Sequence, residues 1–378
     1  MLARRPSLIL PLLALPALIA CSGPSAPPPP PPLNAAAMKA VIDQPGVARE
    51  GLARAVDALF SQQPTAETRA LIVLHDGKIV AERFASGYHE NTRLVSWSMA
   101  KTVTGVMIGM LVADGRLRLD DGVPIPAWQR SGDPRGEITL RQLLQMDSGL
   151  KHAEEASPPY EADTVRMLFL DGRDNMAAYA EAQPLEAEPG SKWEYSSATA
   201  VILADLAARA LTTSTDPGER ARAVGDYLRT RLFEPLGMKS MVPEYDLAGT
   251  LIGGSLIHGT ARDWARFGEF MRNKGAIKGA QLVPVAWIDF MTTSSPHNPG
   301  YGAQTWLNHP AAPGETAMWP GLPGAVFSLN GHLGQFVVVS RGNGVTVVRL
   351  GKTNEGQHEP VRRAIARIIQ LFPKEVTP

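Results

Sequence analysis

The chain has 378 residues, enough for one large domain or two smaller ones with a substantial core. Acidic and basic residues balance at 37 each, which removes any electrostatic case for nucleic acid or an acidic surface as partner. A single cysteine, Cys21, excludes an intramolecular disulfide and a thiolate metal cluster, and the eight histidines show no HExxH and no pair at helical spacing, which argues against a zinc enzyme.

The first 21 residues read as an export segment. Arg4 and Arg5 form a basic n-region, and residues 7–20, SLILPLLALPALIA, form an apolar h-region shorter than the roughly 20 residues a membrane span needs. The run ends Leu18-Ile19-Ala20-Cys21, which resembles a bacterial lipobox whose cysteine is lipidated and becomes the mature N-terminus. An ordinary secretory peptide with an incidental cysteine is the alternative. Residues 22–36, rich in proline, cannot pack a core; in polyproline II geometry, at about 3.1 Å per residue, they make a tether on the order of 45 Å. The expectation is an exported lipoprotein, held to a membrane through Cys21 and facing the periplasm. Ser22, where an aspartate would be linked to inner-membrane retention, favours the outer membrane.

The folded part is expected from residue 37 to the end, with no internal repeat. Residues 37–62 predict a helix with Val47, Leu52, Val56 and Leu59 on one apolar stripe. Two strands follow, 70–76 and 78–84, joined by Asp76-Gly77, the strongest short hairpin signal. Residues 98–275 are mostly helical patches between Gly/Pro loops. Near the end AVFSLN, QFVVVSR and VTVVRL read as strands, with Gly342-Asn343-Gly344 as a turn, and EPVRRAIARIIQLF as an amphipathic helix. Strands from both ends most simply share one antiparallel sheet, with the terminal helices packed on it and a helical part alongside: an α+β fold with its site in the cleft between the two.

Ser98-Met99-Ala100-Lys101 opens the most apolar helical stretch of the chain. Ser98 falls at or near the helix N-terminus, and Lys101 lies on the same side about one turn later. A serine hydroxyl is a weak nucleophile until a base takes its proton, and a lysine of depressed pKa can be that base. The helix N-terminus adds N–H groups and positive partial charge near a developing oxyanion. Alone, the spacing fits equally a capping serine and a solvated lysine.

Five ordered segments decide between them. Residues 96–121 (SWSMAKTVTGVMIGMLVADGRLRLDD), 138–150 (ITLRQLLQMDSGL), 188–206 (EPGSKWEYSSATAVILADL), 233–241 (FEPLGMKSM) and 253–271 (GGSLIHGTARDWARFGEFM) resemble segments of the serine beta-lactamase and penicillin-binding-protein superfamily. Within it the resemblance is to the class C-related branch, which includes family VIII esterases and 6-aminohexanoate-dimer hydrolases. It covers nearly the whole of residues 37–378 and implies a beta-lactamase-like fold with no metal or cofactor. It also implies a small-molecule ester or amide substrate.

Residue by residue, the resemblance makes Ser98 the nucleophile and Lys101 its base partner. Tyr195 becomes the proton shuttle to the leaving group, a role that calls for a phenol of lowered pKa. Ser197 stands where many members have an asparagine that orients the tyrosine and lysine. In the third motif, where lactamases have K-T-G, Gly331-His332-Leu333-Gly334-Gln335 places His332 at the lysine and Gly334 at the glycine. The Gln335 N–H is then expected to complete an oxyanion hole with that of Ser98. His332 supplies no permanent cation for a substrate carboxylate, which points to esters or linear amides rather than beta-lactams. Lys352-Thr353-Asn354 lacks the glycine and reads as a rim loop after the last strand. Glu154, Glu155 and Tyr160 fit a substrate-contacting loop and a solvated loop equally well. Asp263, Arg266 and Gly268 are expected to knit the helical part to the sheet. The resulting expectation is a serine hydrolase working through an acyl-enzyme; a non-catalytic lipoprotein that binds penicillin or wall peptides in the same cleft is the alternative.

Overall fold

Both ends of the folded part supply strands to one sheet, as expected. The structure is a computed structural model that describes residues 32–61, 66–354 and 356–374. Cys21 and most of the proline-rich stretch lie outside the described residues.

The sheet has six strands: β1 (Ala66–His75), β2 (Lys78–Phe84), β3 (Trp306–Leu307), β4 (Phe327–Gly331), β5 (Gln335–Ser340) and β6 (Val345–Thr353). Their spatial order is β2-β1-β6-β5-β4-β3, with every neighbouring pair antiparallel. Asp76 and Gly77 both take positive φ, 47° and 76°, the pair of values a two-residue hairpin loop needs to match strand twist. The last strand runs further than the sequence suggests, because Ala66 and Glu67 extend β1 and pair with Thr353 and Lys352. Lys352 and Thr353 are therefore ladder residues rather than part of a rim loop, and Thr353 is fully buried.

One helix was expected over 37–62, and two are found. Ala35–Lys39 is capped by the Asn34 side chain, so this helix starts slightly before the expected end of the tether, and Arg49–Phe60 follows after Gln44-Pro45-Gly46 breaks the pattern. Pro45 cannot donate to a helix ladder and Gly46 takes φ 84°.

Side-chain alternation assigns the two faces of the sheet. Phe336 of β5 meets the His358 ring of the C-terminal helix (His358–Leu371), while its neighbour Val337 meets Gly268 of the helix Ala261–Arg272. A Cβ on Gly268 would approach Val337 to 2.8 Å and Thr346 to 2.6 Å, so the absent side chain is what lets that helix lie on the strands. Asp263 of the same helix accepts from the Ser240 N–H and hydroxyl and pairs with Arg266. Gly268 packs the helix on the sheet as read from the sequence, while Asp263 ties it to Ser240 and Arg266 pairs within the helix itself.

The helix Ala100–Ala113 is buried from Ala100 through Leu111, on every side rather than along one stripe. It packs against the helix Ser197–Leu211. Among the described residues no helix is long and apolar enough to cross a membrane.

Candidate active site

Three separate stretches converge on the N-terminus of the central helix. Trp97–Met99 forms a tight 3-10 turn running into the helix Ala100–Ala113, and Trp97 holds a left-handed φ of 47°, unusual for a bulky residue. That turn presents Ser98 half-buried at the surface of the cleft. Ser96 is fully buried; its hydroxyl, with one hydrogen to give, sits between the Trp97 and Ser255 carbonyls and accepts from Ile257 N–H, which makes it a tie rather than a rival nucleophile.

Lys101 is 1% exposed, and its Nζ lies 2.9 Å from each of three oxygens: Ser98 Oγ, Ser197 Oγ and the Gly254 carbonyl. Gly254 makes this possible, since a Cβ there would be 3.0 Å from the Ser197 carbonyl oxygen and 3.2 Å from Ala200. Burial lowers the lysine pKa to about 8, partly opposed by the charge of Glu154.

Tyr195 comes from the loop before the helix Ser197–Leu211, with the Lys101 nitrogen 4.7 Å from its ring centroid. The Ser98 hydroxyl and the Trp306 indole stand near its phenol and act to lower its pKa, the smaller of the effects on it. Here the structure departs from expectation. Burial, reinforced by the Glu154 charge, raises the phenol pKa rather than lowering it, so Tyr195 is a neutral O–H. Trp306, on the edge strand β3, packs on Tyr195 at 5.3 Å between ring centroids and on Tyr301 at 5.0 Å, and Trp193 adds a further ring 5.5 Å from Tyr301. The wall beside the nucleophile is thus aromatic and uncharged. No sequence signal marked Tyr301 and Trp306, whose segments carry no motif or periodicity, whereas Trp193 lies in the 188–206 segment but was not singled out there.

Ser197 lies beside Lys101, and it is bound to a residue left undecided by the sequence. Its hydroxyl donates to Glu154 Oε1 at 2.6 Å and its N–H to Glu154 Oε2 at 2.8 Å. Oε2 is shared with His152 Nε2 at 2.9 Å and Thr164 Oγ1 at 2.9 Å. Burial alone would raise the Glu154 pKa, but Lys101, the His152 ring and the Ser197 hydroxyl together bring it to about 2. Glu155 and Tyr160 are exposed. The only advance signal for Glu154 was its position four residues after Leu150, at the end of the 138–150 segment.

The third-motif assignments need revision. Gly334 is set against the last strand: a Cβ there would meet Thr353 Oγ1 at 2.8 Å and Arg349 Nη1 at 3.0 Å. The Gln335 side chain is turned the same way, donating to the Gly351 carbonyl at 2.5 Å and accepting from the Gly351 N–H at 2.9 Å. It completes the β5–β6 ladder where the hairpin turns away. The residue that abuts the nucleophile turn is Gly331, whose Cβ would lie 2.2 Å from the Ser96 carbonyl oxygen. The physical reason is the hairpin itself. Its turn occupies 332–334, so β4, the strand that meets the nucleophile turn, ends at Gly331, three residues before Gly334. His332 is exposed, with its ring edge-on to Trp97 at 5.3 Å.

Comparison with known proteins agrees with this geometry. The beta-lactamase family model matches residues 56–371. A 6-aminohexanoate-dimer hydrolase from Paenarthrobacter ureafaciens is 24% identical over 62% of this chain and 61% of its own length. Esterase EstB from Burkholderia gladioli is 31% identical over 50% of each chain. The chain thus spans between half and two thirds of the curated relatives it matches. A penicillin-binding-protein homologue from Caulobacter crescentus shares the fold with a TM-score of 0.63, at 18% identity, over 86% of this chain and 98% of that one.

Proposed function

The chain belongs to the beta-lactamase family, and from that premise we propose that it is a serine hydrolase cleaving ester or linear amide bonds through an acyl-enzyme on Ser98. The observation that carries this reading is the 2.9 Å contact between Ser98 Oγ and a buried lysine whose pKa is lowered to about 8. A neutral Lys101 takes the Ser98 proton as the serine oxygen attacks the substrate carbonyl. Tyr195, kept neutral, has a proton to give and lies within reach of Ser98. It passes that proton to the departing alcohol or amine and is resupplied from the Lys101 ammonium. Water then attacks the acyl-enzyme by the same route in reverse. The oxyanion receives the Ser98 N–H and, because Gly331 rather than Gly334 abuts the nucleophile turn, the N–H of His332 rather than that of Gln335.

The substrate is proposed to be small and neutral around the scissile bond. The aromatic wall offers no cation, and His332 replaces the fixed charge that would hold a carboxylate. The named relatives, a 6-aminohexanoate-dimer hydrolase and an esterase, support ester and amide chemistry alike. Exposure of the full-length protein to a fluorophosphonate, a penicillin and a panel of p-nitrophenyl esters, followed by mass spectrometry, tests this. Native protein is expected to carry the label on Ser98 and to turn over esters. Ser98→Ala is expected to lose both with little change in thermal stability, and labelling that persists at Ser96 would reject the assignment. On matched esters with and without a carboxylate, His332→Lys should shift relative kcat/KM toward the carboxylate by about tenfold, about 1.4 kcal/mol. Ratios unchanged in both His332→Lys and His332→Ala would remove specificity from this residue.

We propose further that the protein is an exported lipoprotein anchored through Cys21 and facing the periplasm. A lone cysteine at the end of an apolar h-region supports this reading.

A further inference from the structure

The hydrogen-bond chain behind Lys101 has one direction only. Glu154 carries an ionised carboxylate, which can accept but not donate. The Ser197 hydroxyl, 2.6 Å from Oε1, must therefore spend its single hydrogen on Glu154 and turn a lone pair toward Lys101 Nζ at 2.9 Å. The Gly254 carbonyl, also 2.9 Å from Nζ, can only accept. A neutral amine has two hydrogens and one lone pair. Its two hydrogens are claimed by Ser197 and Gly254, and the third direction, toward Ser98 Oγ, is the only one left for the lone pair.

We propose that Glu154 is a positioning residue of this centre: by fixing the Ser197 hydroxyl as a donor to itself, it aims the lone pair of neutral Lys101 at the Ser98 hydroxyl. In the step so prepared the Ser98 O–H bond breaks, an N–H bond forms on Lys101, and the oxygen electron pair forms the bond to the substrate carbonyl carbon. The carboxylate is itself held by four donors: the Ser197 hydroxyl and N–H, His152 Nε2 and Thr164 Oγ1. His152 Nε2 lies 2.9 Å from an oxygen that can only accept, so Nε2 is the nitrogen that carries hydrogen and donates. The titratable groups facing Lys101 are Glu154 from this loop and Tyr195 from the loop opposite, with His152 behind Glu154 and Tyr301 behind Tyr195.

Glu154 also acts through its charge, which opposes the lowering of the lysine pKa. The two effects have separate readouts, and both rest on the hydrolase reading. The experiment is the pH dependence of the single-turnover rate of Ser98 acylation by a fluorophosphonate, in native, Glu154→Gln and Ser197→Ala proteins. Native protein is expected to show an acid limb near pH 8. Glu154→Gln, of equal size and without charge, should move that limb down by about one unit or more and lower the plateau above it by about tenfold or more. Ser197→Ala keeps the charge and breaks the relay, so its plateau should fall while its limb moves less. An unchanged limb and plateau in Glu154→Gln overturns the inference while leaving the hydrolase standing. Should Glu154→Gln fail to fold, a native-like plateau in Ser197→Ala overturns it instead. Absence of label on native protein at every pH removes the hydrolase reading and this one together.

Discussion

Lys101 owes its chemistry to burial without a contacting counter-ion. Its nitrogen meets three neutral oxygens, and the nearest carboxylate stands one hydroxyl away. Desolvation therefore wins over Coulomb attraction, and the pKa falls to about 8. Because the neutral form is the base, activity is present above this value and lost below it. Steady-state kcat/KM for a neutral ester is expected to rise about tenfold per pH unit below 8 and to level off above it. The raised pKa of Tyr195 adds no second limb in the neutral range, which separates this scheme from one in which a tyrosinate is the base. A profile flat between pH 6 and 9 would contradict Lys101 as base.

At the scale of elements, the site depends on how closely β4 approaches the nucleophile turn. Gly331 has φ −118° and ψ 152°, an extended backbone open to any residue, so it is close contact, with the Ser96 carbonyl above all and with Gln335 Cβ at 2.9 Å, that demands glycine there. Gly331→Ala is expected to cost about 1–3 kcal/mol of stability through overpacking. The same displacement moves the strand end from Ser98, so kcat should fall more than the loss of folded protein explains. Urea denaturation alongside kcat on the same preparation checks this. Gly334→Ala makes the comparison: strained by its φ of 78° and set against Thr353 and Arg349 rather than the Ser96 carbonyl, it should cost stability with a smaller effect on kcat per folded molecule.

At the scale of the whole molecule, stability and location lie outside the site. Between three helices of the helical part, Glu181 is buried near Asp205, which pairs with Arg209 and Arg220. Burial, together with the Asp205 charge, raises the Glu181 pKa to about 7. A carboxyl raised in the folded state contributes stability that is full below its unfolded pKa of about 4.3 and lost as pH rises through 7. Glu181→Gln should therefore raise Tm at pH 8, with the gain shrinking toward pH 5; thermal melts at the two pH values measure it, and an equal shift at both would refute the linkage. For location, Cys21→Ser should release the protein from membrane fractions or leave an unprocessed precursor. Equal membrane retention of the two forms would dismiss the anchor.

Local rules carried much of the fold. Period-two apolar runs and an Asp-Gly turn sufficed for the strands of both ends, because a hairpin is closed by neighbouring residues. The Ser98–Lys101 spacing sufficed for the centre of the site, since a helix returns to the same side after one turn. Other features were set by contacts between distant segments. Glu154 reached Ser197 across 43 positions, and Trp306 reached Tyr195 only because an edge strand carried it there. Which glycine of Gly331-His332-Leu333-Gly334 faces the nucleophile turned on where the hairpin bends. A change of register by a few residues exchanges strand for turn, and no local pattern records that choice. The direction of the tyrosine pKa was likewise a tertiary matter. Charge type is written in the sequence, whereas burial and the distance to Glu154 exist only in the folded chain.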